Sequence, residues 1–143
     1  MEKILISACL VGENCKYNGG NNLNPKIEKL LEKYELIPFC PEVEGGLPTP
    51  RHPSEIKGDR VIMDNGKDVT DNFDVGARKA LMLCGFLKIK IVILKERSPS
   101  CGVHQIHDGS FSNKLIDGMG MTARLLKEKG IKIYSEDEID KLL

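Results

Sequence analysis

The stretch TDNFDVGARKALMLCGFLKIKIVIL, which runs from Thr70 to Leu94, decides the fold that we predict for this chain. Its first part predicts a helix over residues 71–87, with Thr70 as N-cap and these apolar residues on one face: Phe73, Ala77, Ala80, Leu81, Cys84 and Leu87. Ile89–Leu94 follows at once and is an apolar run typical of a buried strand. A helix leading into a buried strand is the repeating unit of an α/β protein.

The same alternation of strands and helices extends in both directions from this stretch. Further buried strands are predicted at Lys3–Ser7, Glu35–Phe39 and Ile131–Tyr134. Further helices are predicted over 25–34, over 120–129, and after a capping box formed by Ser135 and Glu138. We therefore predict one α/β domain over residues 1–143, with a Rossmann-like layered fold, a mainly parallel sheet and helices on both faces.

Three segments between these elements carry local signals of their own. Residues 40–53 contain so much proline and glycine that no regular structure is expected there. Asp64-Asn65-Gly66 predicts a hairpin turn between strands at 60–63 and 67–69. Residues 95–117 are expected to be mostly loop.

Composition and charge exclude several classes of protein. The chain has 143 residues, with 21 Lys plus Arg and 21 Asp plus Glu, so no net charge attracts polymeric nucleic acid or an anionic membrane. Its 41% apolar and 29% charged residues are ordinary globular usage, which excludes a disordered protein. The longest apolar run is far too short to span a bilayer, and no export signal is visible. We expect a cytoplasmic protein; its oligomeric state is not predicted, because no helix carries a sustained heptad repeat.

The five cysteines are the feature that composition alone does not explain. An odd number without an export signal argues against a disulfide framework, and there is no Cys-x-x-Cys pair. Cys9 and Cys40 lie just after predicted strands and Cys101 lies in the loop leaving the third main strand, at the edge where open α/β sheets bind their ligands. These three thiols are predicted to converge on one site, whereas Cys84 is expected to pack in the core. Cys15 is a spectator, a weak fourth ligand or a resolving thiol.

Three thiolates at one sheet edge suit two kinds of metal centre. Zinc bound by three cysteines keeps a fourth position for water, as in a catalytic site. A cubane iron–sulfur cluster bound by three cysteines keeps one iron free for substrate. A third possibility, from another class of protein, is a non-catalytic metal-binding or sulfur-carrier module with reactive thiols.

Polar residues close to these cysteines in sequence are candidates for the chemistry of the site. Glu42 and Glu44 lie in the loop after the second predicted strand, and one of them could reach the site as an acid or base. Ser98 and Ser100 lie in the loop after the third main strand, and either could hold a water or a substrate carbonyl. The glycine-rich bend at residues 18–22 could offer backbone N–H groups to a phosphate, although no glycine-rich nucleotide motif is present.

Five stretches of the sequence resemble a known family. They are SACLVGENCKYNG (Ser7–Gly19), CPEVEGGLPTPR (Cys40–Arg51), DVT (Asp68–Thr70), KERSPSCG (Lys95–Gly102) and DGMGMTARLL (Asp117–Leu126). In these stretches the chain resembles the thiouracil desulfidase family, long catalogued as a bacterial domain of unknown function. The resemblance covers essentially the whole chain.

The resemblance implies a cofactor, site residues and a reaction. In the family a [4Fe-4S] cluster with one free iron is held by three cysteines, which match Cys9, Cys40 and Cys101. A glutamate four residues after the second of these assists proton transfer and matches Glu44, and a serine before the third matches Ser98 or Ser100. The implied reaction is non-redox, hydrolytic desulfuration of a small-molecule thiolated pyrimidine, thiouracil or 4-thiouridine monophosphate, to the oxo base and sulfide.

The same motifs also suggest residues that bind the substrate. Asn18, Gly19 and Arg51 lie within them and are the predicted substrate-binding residues. A zinc-thiolate hydrolase with the same three thiols, or the non-catalytic module, is the alternative to a desulfidase. A cluster with an exposed iron is easily lost from a sample handled in air, so an iron–sulfur cofactor must be sought under anaerobic conditions.

Overall fold

The structure is a computed structural model that describes all residues from 1 to 143. Its elements in chain order are β1 (Glu2–Ser7), α1 (Ile27–Leu31), β2 (Tyr34–Phe39), α2 (Pro41–Glu44), β3 (Ser54–Lys57), β4 (Arg60–Met63), α3 (Thr70–Leu87), β5 (Ile91–Leu94), β6 (Gln105–His107), β7 (Leu115–Asp117), α4 (Met121–Glu128) and β8 (Lys132–Ser135). Two 3₁₀ helices, Ala8–Val11 after β1 and Glu136–Leu142 after β8, complete the architecture.

Four strands form one parallel sheet in the order β2-β1-β5-β8. The chain moves from β1 to β2 on one side and later crosses to β5 on the other side of β1, so the strand order reverses between β1 and β5. Ligands of such sheets bind outside the carboxyl ends of the strands at this reversal. The predicted α/β fold with a parallel sheet is confirmed, and its reversal point marks where a site is expected.

Alternate side chains of the central strands fill two hydrophobic layers. Leu5 and Val92 pack with buried residues of α3 and α4 on one face of the sheet. Ile4, Ile6 and Ile93 pack with α1 and the C-terminal 3₁₀ helix on the other face. Because successive residues of a strand point to opposite faces, a continuous apolar run is buried on both sides. The prediction of helices on both faces of the sheet is confirmed.

Helix α3 covers the predicted range with one additional residue at its N-terminus. Thr70 is the first helical residue and not the cap, because its Oγ1 accepts the N–H of Val61 at 2.8 Å and donates to Asp68 at 2.7 Å. Cys84 is 1% exposed within the core, as its helical spacing predicts. None of the helices has both the length and the apolar character required to cross a membrane.

The segment at 40–53 was wrongly predicted to lack regular structure, because Pro41–Glu44 form the short helix α2. Proline suits the first position of a helix, where no backbone N–H is needed. The N–H of Glu44 donates to the carbonyl of Cys40 at 2.9 Å, which closes the helical turn directly after the second predicted ligand. One helical turn is too short to show a sequence period.

The hairpin forms one strand earlier than predicted. β3 pairs with β4, and Gly58 in their turn adopts a φ of +62°. The predicted turn at 64–66 also forms, but residues 67–69 pair with β4 through a single bridge and make no strand. The reason is that the carboxylate of Asp68 turns to the N–H of Thr70 at 2.9 Å and starts α3.

The first helix, the C-terminal helix and the loop at 95–117 differ from the prediction in smaller ways. Helix α1 is shorter than predicted, because Asn24 Oδ1 accepts the N–H of Lys26 at 2.9 Å in a turn before the helix. The capping box of Ser135 and Glu138 is confirmed, although the helix that it starts is 3₁₀. The loop at 95–117 contains an antiparallel hairpin of β6 and β7, with the residues between them close to the sheet edge.

Candidate active site

A cavity of about 490 Å³ lies at the carboxyl edge of the parallel sheet. Its wall includes four of the five cysteines, which are Cys9, Cys15, Cys40 and Cys101. The volume is within the range of ~300–1,000 Å³ that is usual for small-molecule sites. The structure therefore brings the three predicted thiols to one place and adds Cys15 to them.

Each of the three predicted ligands is placed by the end of a strand. Cys9 lies in the 3₁₀ helix that follows β1, and Cys40 is the extended residue between β2 and α2. Cys101 lies in the loop after β5 and is buried, with its sulfur hydrogen-bonded to the side chain of Ser7. Ser7 Oγ also accepts the N–H of Lys95 at 2.9 Å, which ties the end of β1 to the start of that loop.

Hydrogen bonds among the thiols lower the pKa values of Cys9 and Cys40 and raise that of Cys15. A hydrogen bond from Cys15 lowers the pKa of Cys9 to about 7, against the opposing effect of burial. A second hydrogen bond from Cys15 lowers the pKa of Cys40 to about 7 in the same way. The pKa of Cys15 itself is raised because its proton is shared with these two sulfurs, and burial raises the pKa of Cys101. Cys9 and Cys40 are thus the most readily ionised thiols, and the thiolate is the form that binds metals.

The side chains around the cavity can be compared with the requirements of a single metal ion. No group of three or more Cys, His, Asp or Glu side chains is close enough to hold one. Zinc bound by three thiolates at ~2.3 Å would require the sulfurs to lie within about 4 Å of one another. A polynuclear group binds each thiolate through a different metal atom, and so suits more widely separated sulfurs.

Glu42 is one of four carboxylates in the wall of this cavity, and its charge acts on Cys40. Burial raises the pKa of Glu42, although Arg51 Nε lies 3.1 Å from its Oε1 and opposes the rise. The Arg51 side chain is only 3% exposed and also donates from Nη2 to the carbonyl of Cys15 at 2.9 Å. A partly buried carboxyl with a fixed orientation beside the thiols is able to exchange protons with a bound substrate.

Of the other predicted catalytic residues, only Ser98 lines the cavity. Its side chain lies beside Glu42 and lowers the pKa of that carboxyl, and its Oγ accepts the N–H of Cys101 at 3.0 Å. Ser100 is fully buried behind the cavity wall, where its Oγ shares a 2.7 Å hydrogen bond with Thr122. Glu44 is exposed and lies outside the cavity.

Of the three predicted substrate-binding residues, one lines the cavity and two do not. Asn18 and Gly19 do not line the cavity, and Asn18 Oδ1 instead accepts the N–H of Gly20 at 2.9 Å. Arg51 does line the cavity, but its guanidinium donates to four protein acceptors. In the structure Arg51 therefore orients neighbouring protein groups. Lys16, immediately after Cys15, lines the cavity without a carboxylate partner.

Sequence reasoning missed the residues that hold the loops around the cavity. Glu96 Oε1 accepts four backbone N–H groups, from Arg97, Val103, His104 and Gln105, at 2.8–3.3 Å. Glu55 Oε1 accepts two more, from Gly109 and Phe111. No local pattern marks such residues, because their partners are up to 56 positions away. The only available signal was the Asp108-Gly109 turn, which precedes Phe111 in the cavity wall.

Comparison with known proteins finds similar sequences and a similar structure over nearly the whole chain. Residues 4–138 match the family model of 2-thiouracil desulfurase. The chain is 41% identical to uncharacterized protein YbbK of Bacillus subtilis (strain 168), over 98% of this chain and 99% of that protein. It is also similar to the solved structure of a [4Fe-4S]-dependent thiouracil desulfidase, TudS, with a TM-score of 0.94 and 43% identity. That similarity covers 99% of this chain and 95% of the other.

Proposed function

The chain belongs to the 2-thiouracil desulfurase family, and we propose that it replaces the sulfur of a thiolated pyrimidine by oxygen and releases sulfide. One observation carries the proposal: three strand ends bring Cys9, Cys40 and Cys101 to one cavity, beside the partly buried carboxyl of Glu42. The similar structure is that of a thiouracil desulfidase, so thiouracil is the first substrate to test.

The proposed cofactor is a [4Fe-4S] cluster held by Cys9, Cys40 and Cys101, because the similar structure is named for its dependence on such a cluster. The donor set fits, since sulfur is the normal ligand of iron–sulfur clusters and these three thiols converge from separate elements. When bound, a cluster with three protein ligands supplies an iron that acts as a Lewis acid toward a soft sulfur atom. Cys15 remains a hydrogen-bond donor to Cys9 and Cys40.

We assign the proton transfers to Glu42, assisted by Ser98. Exchange of C=S for C=O consumes one water and releases hydrogen sulfide, so the water loses two protons as its oxygen bonds to carbon and the C–S bond breaks. The Oγ of Ser98 accepts backbone N–H groups from Ser100 and Cys101, which leaves its own proton for the Glu42 carboxylate. Glu42 takes the two protons from the water oxygen one after the other and passes each to the departing sulfur, while Arg51 keeps the carboxyl oriented.

The size and charge of the cavity extend the proposal to a nucleotide such as 4-thiouridine monophosphate. Lys16 and Arg97 both line the cavity, and neither forms an ion pair with a carboxylate within 4.0 Å. Two cations without carboxylate partners are suited to a phosphate. Lys16→Ala and Arg97→Ala should each weaken turnover of 4-thiouridine monophosphate and leave turnover of 2-thiouracil unchanged. Equal effects on the two substrates would contradict a phosphate site.

The experiment that tests the function begins with anaerobic purification and cluster reconstitution. We expect about four irons and four sulfides per chain, and conversion of 2-thiouracil to uracil with release of one sulfide. Cys9→Ser, Cys40→Ser and Cys101→Ser should each lose the iron and the activity. Cys84→Ser is the matched control, because this thiol is buried in the core away from the cavity. Zinc without iron, or iron without turnover, would overturn the proposal.

Glu42→Gln and Glu44→Gln form a second matched pair. Both substitutions remove one carboxylate from the same short helix, but only Glu42 lines the cavity. Glu42→Gln should keep the iron and lose turnover by about 10²-fold or more, the usual contribution of a proton-transfer group. Glu44→Gln should change neither. The opposite result would move the proton transfer to Glu44, as the family resemblance implied.

A further inference from the structure

Phe111 lies in the loop between β6 and β7 and contributes to the wall of the cavity. Its backbone φ is +56°, in the left-handed region that a bulky side chain rarely adopts. The ring belongs to none of the three buried core clusters and is only half-buried. A conformation that is unfavourable for phenylalanine is thus held at a position where the ring adds little to the core.

A buried carboxylate imposes this conformation. Glu55 is 8% exposed, and its Oε1 accepts the N–H of Gly109 at 2.9 Å and that of Phe111 at 3.1 Å. Gly109 has a φ of +93°, and a Cβ there would lie 2.7 Å from the carbonyl oxygen of Ile56. The loop therefore packs directly on β3. Lys57 Nζ lies 5.5 Å from the centroid of the Phe111 ring, close enough for a cation–π interaction that further fixes the ring.

The edge of a thiolated pyrimidine carries groups that form hydrogen bonds, but the two flat faces of its ring do not. Aromatic side chains bind such rings by stacking on their faces. The cavity wall has three aromatic residues, Tyr17, Phe39 and Phe111. Phe39 packs against the core below the sheet edge, and Tyr17 is 45% exposed, with no buried carboxylate holding its backbone. Phe111 alone combines a place in the wall with a backbone fixed from within.

We propose that Phe111 stacks on the pyrimidine ring of the substrate and that Glu55 is the residue that positions it. This inference rests on the proposed function, because it names the group that recognises the base of that same substrate. It adds a specificity-determining residue on the wall formed by β3 and the β6–β7 loop, apart from the residues at the ends of β1, β2 and β5.

The test uses the cluster-loaded protein and compares Phe111→Leu with Phe86→Leu. Phe86 is 86% exposed on α3 and is the matched control for loss of a phenyl ring. Phe111→Leu should raise the KM for 2-thiouracil about tenfold, within the range expected for one stacking contact, with a smaller effect on kcat. Its dissociation constant for uracil, measured by calorimetry, should rise by the same factor. Phe111→Tyr should restore both values, and the iron content should stay that of wild type.

Other outcomes separate this inference from the proposed function. A wild-type protein that holds its cluster but turns over no thiolated pyrimidine would overturn the function. An active wild type whose KM and uracil affinity are unchanged in Phe111→Leu would overturn the stacking alone. The same holds if Tyr17→Leu raises KM where Phe111→Leu does not, or if Phe111→Leu loses iron and Phe111→Tyr fails to restore it.

The positioning role of Glu55 has its own test. Glu55→Ala removes the acceptor of both loop N–H groups, so KM should rise as in Phe111→Leu. Because the two residues act through one contact, the double variant should have the KM of Phe111→Leu and no higher value. A further multiplicative rise in the double variant would show that Glu55 acts independently of Phe111.

Discussion

Gly76 is the point at which α3 touches the segment that carries Cys40. A Cβ built on Gly76 would lie 1.9 Å from the carbonyl oxygen of Pro41 and 2.7 Å from its carbonyl carbon. The shortest ordinary contact is 3.4 Å, so Gly76→Ala requires a displacement of 3.4 − 1.9 = 1.5 Å between two backbone segments. Neither neighbour is a flexible side chain that could move aside. We therefore expect the substitution to disturb both the fold and the site.

The magnitude follows from a comparison with Gly85 in the same helix. A Cβ on Gly85 meets nothing within 4 Å, so Gly85→Ala should gain the ~1 kcal/mol by which alanine is the better helix former. Gly76→Ala gains the same amount but also pushes apart packed backbone, for which overpacking costs of ~1–3 kcal/mol are typical. The helix propensity cancels between the two variants. Because the clash involves only backbone, their difference in unfolding free energy should approach about 3 kcal/mol.

Urea unfolding of the two variants, followed by circular dichroism, measures this difference. The iron content after anaerobic reconstitution measures the effect on the site, because a shift of Pro41 also moves Cys40. We expect Gly85→Ala to bind as much iron as wild type and Gly76→Ala to bind less. Equal unfolding free energies and equal iron contents would refute the reasoning that close packing of α2 on α3 sets the position of Cys40.

Two further substitutions test carboxylates that accept hydrogen bonds from the backbone and from other side chains. Glu96→Gln should lower the free energy of unfolding by ~1–2 kcal/mol in urea titrations, because a charged acceptor of four backbone N–H groups becomes neutral; an unchanged midpoint would contradict this. Burial tends to raise the pKa of Glu138, but hydrogen bonds from Ser135, His104 and Lys141 lower this pKa to about 2 from its usual 4.5. The ionised form of Glu138 therefore stabilises the fold at neutral pH. This contribution is lost as the pH falls from 4.5 towards 2. Glu138→Gln should therefore be less stable than wild type at neutral pH, with a gap that narrows by about pH 3; a gap independent of pH would show that charge is not the cause.

The sheet and the convergence of three thiols could be predicted because both depend on local patterns. β1, β2 and β5 each contain a continuous apolar run, and parallel strands place their carboxyl ends at one edge. Cys9 and Cys40 directly follow β1 and β2 and so lie at this edge, whereas Cys101 reaches the cavity through the loop after β5. The hairpin of β3 and β4 was misplaced because 64–66 and 57–60 both carry turn residues, and only tertiary packing decides which of the two joins a pair of strands.

The loops that surround the thiols could not be predicted, since long-range contacts decide their conformation. Glu55 holds Phe111 across 56 positions of sequence, and its strand shows only an alternating pattern. Glu96 lies beside the cysteine motif, yet its burial depends on a loop that folds back to give it four N–H partners. A carboxylate in a sequence is most often solvated, so its burial becomes visible only once its backbone donors are placed.

In each of two pairs of polar residues, Glu42 with Glu44 and Ser98 with Ser100, only the first residue faces the cavity. The cause is the same in both pairs. Glu42 and Glu44 are two positions apart in α2, and residues at that spacing in a helix do not share a face. The contact of α2 with α3 turns one side of α2 toward the protein, so Glu42 points inward and Glu44 outward. Ser98 and Ser100 are also two apart, in a turn that the N–H of Gly102 closes on the carbonyl of Ser98 at 2.8 Å. A tight turn after β2 and another after β5 therefore each admit one of two neighbouring polar residues to the cavity, and the contacts that orient the turn determine which one.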